Sequence, residues 1–255
     1  MTTATTLAPP RLLPLGDAAW TVEFGDAIDP ALNARVMALA EQLDSARAAD
    51  AALATVRDVV PTFRSLTVHF DPLHSDADAL GARLLALAAD AGGAVHAGRH
   101  WRLPVCFDAD FAPDLAALAE AKGLAPAEVV ARLTATPLRV YMIGFLPGFP
   151  YLAGLPPALA LPRRAAPRQR VPARSLAVAG EMCCVYPWES PGGWHLLGRT
   201  PLALFDAAQA DAPAWLAAGD TVQWCAVDRA EHDRLLQAQA AGALRRADFL
   251  AGGPS

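Results

Sequence analysis

The sequence predicts an α+β domain followed by a mostly-β domain, and three observations carry that reading. Up to about residue 98, segments with the two-residue apolar period of a strand alternate with segments of helical period. After Pro137 the texture changes, and short apolar runs alternate with Pro/Gly turns as far as Val227. The 255 residues are 54% hydrophobic and 18% charged. That balance excludes a disordered chain, and the length suits two domains better than one.

Residues 1–9 read as a flexible tail, with neither the basic start nor the apolar run of a signal peptide. Residues 11–24 read as two short strands about a Gly16-Asp17 turn. Asp29-Pro30 is a helix start, with Asp as N-cap and Pro at the first helical position. Leu32, Val36, Leu39 and Leu43 then give that helix one apolar face. Residues 54–60 and 65–70 read as a strand pair. Ser75 is expected to cap a second helix, whose inward stripe is Leu80, Leu84, Leu87 and Ala88 and whose end is Gly92-Gly93. A strand at 99–107 closes the region. Two strand–helix–strand halves of this size predict a ferredoxin-like sandwich.

Residues 111–133 predict two short helices, one stopped by Gly123 and one started by Pro126. The apolar runs that follow are LRVYMIGF, RSLAVAG, CCVYPW, WHLLG, LALFD and DTVQWCAV. Short strands at this spacing predict an all-β barrel or sandwich. Asp228, with Glu231 three residues on, caps a last helix expected to run on to the arginines at 245–246, where they would suit the helix dipole.

Lys+Arg minus Asp+Glu is 21 − 26 = −5, which argues against a general nucleic-acid coat. Val140 to Pro162 carries no charge over 23 residues, enough to span a bilayer. Four prolines and three glycines inside it would free too many backbone groups in lipid, so it reads as a buried strand and a rigid loop. Cys106, Cys183, Cys184 and Cys225 have no zinc-finger spacing and read as reduced cytosolic thiols. Cys183-Cys184 is either a vicinal redox pair or, the favoured reading, two small hydrophobes in a strand.

Three features between residues 141 and 201 point to chemistry. Gly144 to Leu152 sets two Gly-Phe pairs about Leu146-Pro147, so that Phe145, Pro147, Phe149 and Tyr151 form either the apolar wall of a small-molecule pocket or a loop packed over a barrel end. Residues 162–174 hold five arginines, Arg163, Arg164, Arg168, Arg170 and Arg174, stiffened by prolines. Guanidinium forks there suit a carboxylate or phosphate, or else a solvated or salt-bridged loop. Residues 186–201 place Tyr186, Glu189, Ser190, the Gly192-Gly193 turn, Trp194, His195 and Arg199 together. The turn offers backbone donors to an anion. Glu189 and His195 are candidates for proton transfer, though His195 also suits a packed strand. Ser190 reads first as a turn residue or substrate hydrogen bond, because no nucleophile elbow surrounds it. No metal ligands stand out.

The motifs GFLPGFPYL, PRRAAPRQRVP and YPWESPGGWHLLGRTPLALFD resemble the 5-oxoprolinase B-subunit family, also known as allophanate hydrolase subunit 1, which includes a sporulation-kinase inhibitor. LLPLGDAAWTVEFG, TVRDVVPTFRSLTVHFD and LPVCFD extend the resemblance over nearly the whole chain. It implies a small α+β domain over 10–98, a cyclophilin-like β-barrel over 99–228, and a C-terminal helix and tail over 229–255. It also implies a cytoplasmic hydrolase subunit, inactive alone, in an ATP-dependent complex that opens 5-oxoproline to L-glutamate with C-subunit-like and A-subunit-like partners. ATP would activate the lactam, whose amide is stabilised by resonance. No Walker A loop occurs, so ATP binding would use another geometry or depend mainly on the partner. Substrate or phosphate would meet Arg163, Arg168, Arg170, Arg199, Ser190, Gly192 and Gly193, against a wall of Phe145, Pro147, Phe149, Tyr151, Tyr186 and Trp194.

The sequence departs from the family pattern at four places. Thr134 stands where a histidine is expected, and Leu138 where a tyrosine is expected. Arg174 replaces the glycine of a Pro-x-Gly-Ser turn, and Met182-Cys183-Cys184 replaces Gln-Thr-Gly. Two other functions stay open: a regulatory protein that inhibits a histidine kinase, and a subunit for allophanate or another urea-linked amide hydrolysis.

Overall fold

In the computed structural model, residues 9–92, 98–209 and 211–251 are described. They fall into two compact units, one within Met1–His96 and one within Ala97–Ser255. The flexible tail expected over 1–9 lies, apart from residue 9, outside the described residues, as does Gly93 of the expected Gly-Gly stop.

The first unit is a four-stranded antiparallel sheet with two helices. Its strands are β1 (Arg11–Pro14), β2 (Ala19–Glu23), β3 (Val56–Pro61) and β4 (Ser65–Phe70), in the order β1-β2-β4-β3. Helix α1 (Pro30–Ala46) starts where Asp29 Oδ1 accepts the N–H groups of Ala31 at 2.8 Å and Leu32 at 3.0 Å. Helix α2 (Ala77–Asp90) is capped by Asp76, whose Oδ1 accepts the Ala79 N–H at 3.0 Å. Ser75, the expected cap, instead bonds the Thr55 hydroxyl at 3.0 Å. Val22, Leu39, Leu43, Leu66, Val68, Leu80 and Leu84 form a buried core between sheet and helices.

The expected closing strand does not join this sheet. Residues 100–106 form β5 (His100–Cys106) of the second unit, and the place beside β2 is taken by β1. The chain order of the first unit is therefore ββαββα. The physical reason lies in β5 itself. Trp101, Leu103, Val105 and Cys106 are all buried, so the strand suits an interior better than a sheet edge with one wet face.

The second unit is a closed seven-stranded barrel with the order β10-β7-β6-β13-β5-β12-β9. Helices α3 (Leu115–Lys122) and α4 (Pro126–Ala135) precede its strands β6 (Leu138–Ile143) and β7 (Pro150–Ala153). β8 (Arg168–Val171) stands outside it. β9 (Ser175–Ala179) and β10 (Met182–Val185) follow, then β11 (Ser190–Gly192), β12 (His195–Arg199) and β13 (Thr221–Val227). The barrel closes through parallel pairing of β13 with β5, from Thr221 opposite His100 to Val227 opposite Cys106. Trp101, Leu103, Val105, Leu176, Val178, Leu197, Val222 and Trp224 fill the interior. The LALFD run is not a strand; it keeps only an isolated bridge between Phe205 and Ala214. Short strands β7, β8 and β11 arise where proline and arginine hide the alternation. Val140 to Pro162 holds most of β6, all of β7 and a 3₁₀ turn at Pro157–Leu159, and no helix among the described residues is long and apolar enough to cross a membrane. Helix α5 (Arg229–Ala240) is capped by Asp228 as expected, but it stops near Gly242, which has a φ of +68°. Arg246–Phe249 is a separate 3₁₀ turn, so the arginines at 245–246 lie beyond the helix end.

Asp220, 3% exposed, locks the barrel seam. It accepts the Arg99 N–H at 2.9 Å, the Arg99 Nη2 and Ala217 N–H at 3.0 Å, and the Trp101 indole N–H at 2.8 Å. Replacing Asp220 with alanine takes the acceptor from the buried Trp101 indole N–H and from the part-buried Arg99 and Ala217 donors, and should cost about 2–3 kcal/mol. A urea titration followed by tryptophan fluorescence measures this, and an unchanged midpoint would refute it.

Candidate functional site

Strand alternation builds the floor of the site. In β9, Leu176 and Val178 point into the barrel core, whereas Ala177 and Ala179 point outward. In β10, Cys183 and Val185 point in and Cys184 points out. The outward residues are covered by a second cluster containing Phe149, Val171, Tyr186, Trp194 and Leu196. The ring of Phe149 sits at its centre. Its centroid is 5.4 Å from Phe145, 4.9 Å from Tyr151, 5.1 Å from Tyr186 and 6.4 Å from Trp194.

Above this aromatic box is an open cavity of about 310 Å³. Phe145, Phe149, Tyr151, Tyr186 and Trp194 line it together with Arg163, Pro167, Pro191, Gly192 and Gly193. The three sequence features thus meet at one place. Two backbone devices bring them there. The β7 approach loop turns through Phe145 at φ +67° and Gly148 at φ +74°. A Cβ on Gly148 would lie 2.4 Å from Phe205 Cβ, so only glycine allows that approach. The arginine loop and the Ser-Pro-Gly-Gly turn are held together by the β8–β11 pair and by the Arg164 N–H, which donates to the Gly193 carbonyl at 2.7 Å.

The arginines divide by role. Arg163 borders the cavity, its Cζ 5.9 Å from the Trp194 ring centroid, and among the described residues it is the one charged side chain on the lining. Arg164 and Arg168 turn away and bind Asp114, at 3.0 and 2.7 Å. Asp114 Oδ2 also accepts the Leu196 N–H at 2.7 Å. Burial would raise the Asp114 carboxyl, but the Arg168 and Leu196 hydrogen bonds and both guanidinium charges outweigh it and hold it below its ordinary range. Arg170 is mostly exposed, 3.7 Å from Glu189. Arg199 lies over the Phe111 ring, 4.9 Å from its centroid, and is not on the cavity lining.

Several other expected site residues serve the framework. Pro147 is off the lining and accepts the Trp188 indole N–H at 3.3 Å. Ser190 is buried in β11, its hydroxyl 3.4 Å from the Pro191 carbonyl. His195 Nε2 donates to the Pro162 carbonyl at 2.8 Å and so tethers the arginine loop. Burial pushes the Tyr186 phenol far above its ordinary range, aided by nearby Cys184 and Tyr151, and burial likewise raises Tyr151. Both therefore remain neutral hydroxyls. Burial also lifts the Cys183 thiol to about 12 and pushes Cys184 up, which makes the pair apolar packing in β10. Thr134 and Leu138, two of the departures from the family pattern, sit in α4 and β6 away from the lining. Asp114 was not legible as part of the site. Before an apolar helix it reads as an N-cap, yet it makes no cap hydrogen bond to α3 and spends its oxygens on the arginine loop.

Gly192 gives the cavity its sharpest constraint. A Cβ there would fall 2.3 Å from Tyr186 Oη, whereas one on Gly193 meets nothing nearer than 3.7 Å. Gly192→Ala should displace the boxed Tyr186 ring and cost about 1–3 kcal/mol, and Gly193→Ala should not. Urea midpoints of the two variants test this, and equal midpoints would refute it.

The domain family described as carboxyltransferase domain, subdomain C and D, matches residues 10–216. The 5-oxoprolinase B-subunit of Bacillus subtilis (strain 168) is 35% identical over 233 residues, covering 86% of this chain and 93% of that protein. The crystal structure of TTHA0988 superposes with a TM-score of 0.70 at 36% identity, over 82% of this chain. This chain spans only 40% of that one. The urea amidolyase of K. lactis shares the fold at a TM-score of 0.78 and 18% identity, over 96% of this chain and 16% of that one. With a domain match across most of its length and curated relatives at this identity, the chain belongs to the 5-oxoprolinase B-subunit family.

Proposed function

We propose that this chain is the cytoplasmic B-subunit of an ATP-dependent 5-oxoprolinase that opens 5-oxoproline to L-glutamate, together with A-subunit-like and C-subunit-like partners. On this reading its closed barrel is the cyclophilin-like barrel of the family. The observation that carries the proposal is Arg163: a guanidinium with no carboxylate in salt-bridge reach among the described residues, standing at the rim of an aromatic box. A small cyclic amide bearing one carboxylate has the matching parts. Its carboxylate pairs with Arg163, its ring methylenes lie on Phe149 and Trp194, and the neutral Tyr151 and Tyr186 hydroxyls are donors to its oxygens.

The same lining does not fit a nucleoside triphosphate. Among the described residues one guanidinium borders it, and several phosphates need more positive charge than that. ATP is therefore assigned mainly to the partner, and no step is routed through it here. Phe145, 64% exposed, stands at the open mouth, where a partner protein would exclude water from the reaction. This is why the chain alone is expected to be inactive.

The test is reconstitution. Purified chain plus its candidate partner proteins, given 5-oxoproline and ATP, should form glutamate and ADP only when every component is present. Assembled components that leave 5-oxoproline intact, or that hydrolyse allophanate instead, would overturn the proposal. Tight binding to a histidine kinase without turnover would favour the regulatory alternative.

A further inference from the structure

Arg174 stands where the family pattern has a glycine, and the backbone there still has a glycine's shape. Its φ is +67°, the left-handed region in which a Cβ crowds the chain. The turn is pinned on both sides: the Arg174 N–H donates to the Tyr186 carbonyl at 2.6 Å, and its carbonyl accepts the Thr200 N–H at 3.0 Å. Glycine would make both bonds without strain. What arginine adds is a guanidinium, and the surrounding chain makes little use of it. Nη1 donates one long hydrogen bond, to the Pro201 carbonyl at 3.3 Å. No carboxylate lies in salt-bridge reach of it among the described residues. Strain kept for a side chain with so little to do locally points to a ligand.

Arg174 borders a cavity of about 700 Å³, more than twice the volume of the aromatic one, and the two share no lining residue. Trp188 and Phe205 line it with ring centroids 5.8 Å apart. The Trp188 ring is held by its indole N–H, which donates to the Pro147 carbonyl at 3.3 Å, yet the residue is 44% exposed. A large ring that is fixed in place and still wet is ready to stack on an apolar body. Gln239 steadies the rest of the lining. Its Oε1 accepts the Ala203 N–H at 2.6 Å and its Nε2 donates to the Ala203 carbonyl at 3.2 Å, which ties α5 to the segment before Phe205. The cavity is therefore preformed, and binding orders little.

Charge narrows the ligand further. Among the described residues the charged side chains on the lining are Arg174, Arg246 and Asp206. Arg246 is engaged by the Ala214 and Ala212 carbonyls, at 3.1 and 2.5 Å. Asp206 Oδ1 accepts the Ala208 N–H at 3.0 Å. Two arginines against one aspartate leave a single net positive charge, which suits a carboxylate and disfavours a doubly charged phosphate. We infer that this cavity is a second ligand site, for a monocarboxylate with an aromatic body larger than a five-membered ring. The carboxylate pairs with the Arg174 fork, and the body lies on Trp188 and Phe205.

The probe is 2-naphthoate, and its uncharged amide, 2-naphthamide, is the control. In the full chain labelled with 5-fluorotryptophan, the ¹⁹F resonances of Trp188 and Trp215 report this cavity and that of Trp194 reports the aromatic pocket. Trp188→Phe, Trp215→Phe and Trp194→Phe assign them. The Trp188 resonance is expected to shift saturably with 2-naphthoate, and 2-naphthamide to bind at least about tenfold more weakly. Arg174→Gly should weaken 2-naphthoate by the same factor, leave 2-naphthamide as before and keep the parent urea midpoint, since glycine suits that backbone. The site is refuted if Trp188 shows no saturable shift, if acid and amide bind alike, or if Arg174→Gly binds 2-naphthoate like the parent chain. Should Arg174→Gly fail to fold, the acid–amide comparison on the unaltered chain, read at Trp188, decides. A shift at Trp194 alone would put the anion in the lactam pocket, so this site and the proposed lactam site can fail separately.

Discussion

Arg163→Ala is expected to lower lactam-dependent turnover of the assembled complex by about 100-fold while the urea midpoint stays within about 0.5 kcal/mol of the parent protein. The two halves of that result have separate causes. Arg163 is exposed and its one recorded ring contact is with Trp194 at 5.9 Å, so its removal breaks no buried network. The aromatic box beneath it remains packed. What is lost is the fixed charge that pairs with the substrate carboxylate and orients the ring. Arg163→Lys should recover only part of the activity, because an ammonium lacks the paired geometry of a guanidinium fork. Initial rates across 5-oxoproline concentrations check this. Parent-like turnover by Arg163→Ala would remove the residue from the site.

Asp114→Ala is expected to do the reverse and destabilise the fold by about 3 kcal/mol. Its carboxylate gathers Arg164, Arg168 and the Leu196 N–H at one point, and its side chain is 6% exposed. Without it two partly buried guanidiniums lose their partner, and the arginine loop loses its attachment to the start of α3. The folded-state carboxyl lies below its ordinary value of about 3.9. Its stabilisation is therefore complete above that value, and it fades as pH falls through the lower folded-state pKa. The parent protein should thus lose stability in acid more steeply than Asp114→Asn, which has no such titration. Denaturant midpoints at neutral and acid pH measure the difference, and parallel curves would refute the assignment.

These two residues show what the sequence could and could not say. Arg163 and Arg168 look alike in PRRAAPRQR, since both are guanidiniums in a proline-stiffened loop. Only the position of Asp114, more than fifty residues upstream of Arg168, decides which of them binds a carboxylate of the protein itself. The aromatic wall was readable because Gly-Phe, Pro-Gly and Gly-Gly pairs fix local backbone angles. The helix starts at Asp29 and Asp228 were readable for the same reason, because capping is a local matter. The partner of β5 was not, because seven buried-or-alternating residues suit many sheets and nothing local names Thr221–Val227 as the neighbour. Ser75 was the expected cap, but its hydroxyl is engaged by Thr55 and the next residue, Asp76, caps the helix instead.

The parallel seam between β5 and β13 also bears on how the chain is made. Arg99 and Asp220, which fasten that seam, are 121 residues apart. During synthesis the ring stays open until its last strand has left the ribosome, and the exposed rims of β5 and β6 wait without neighbours. Closing contacts at that sequence separation is expected to be the slow event of folding. A nascent or truncated chain that stops before β13 would present two bare strand edges, which are sites for misassembly between copies. Expression of fragments ending near residue 219 should accordingly yield inclusion bodies.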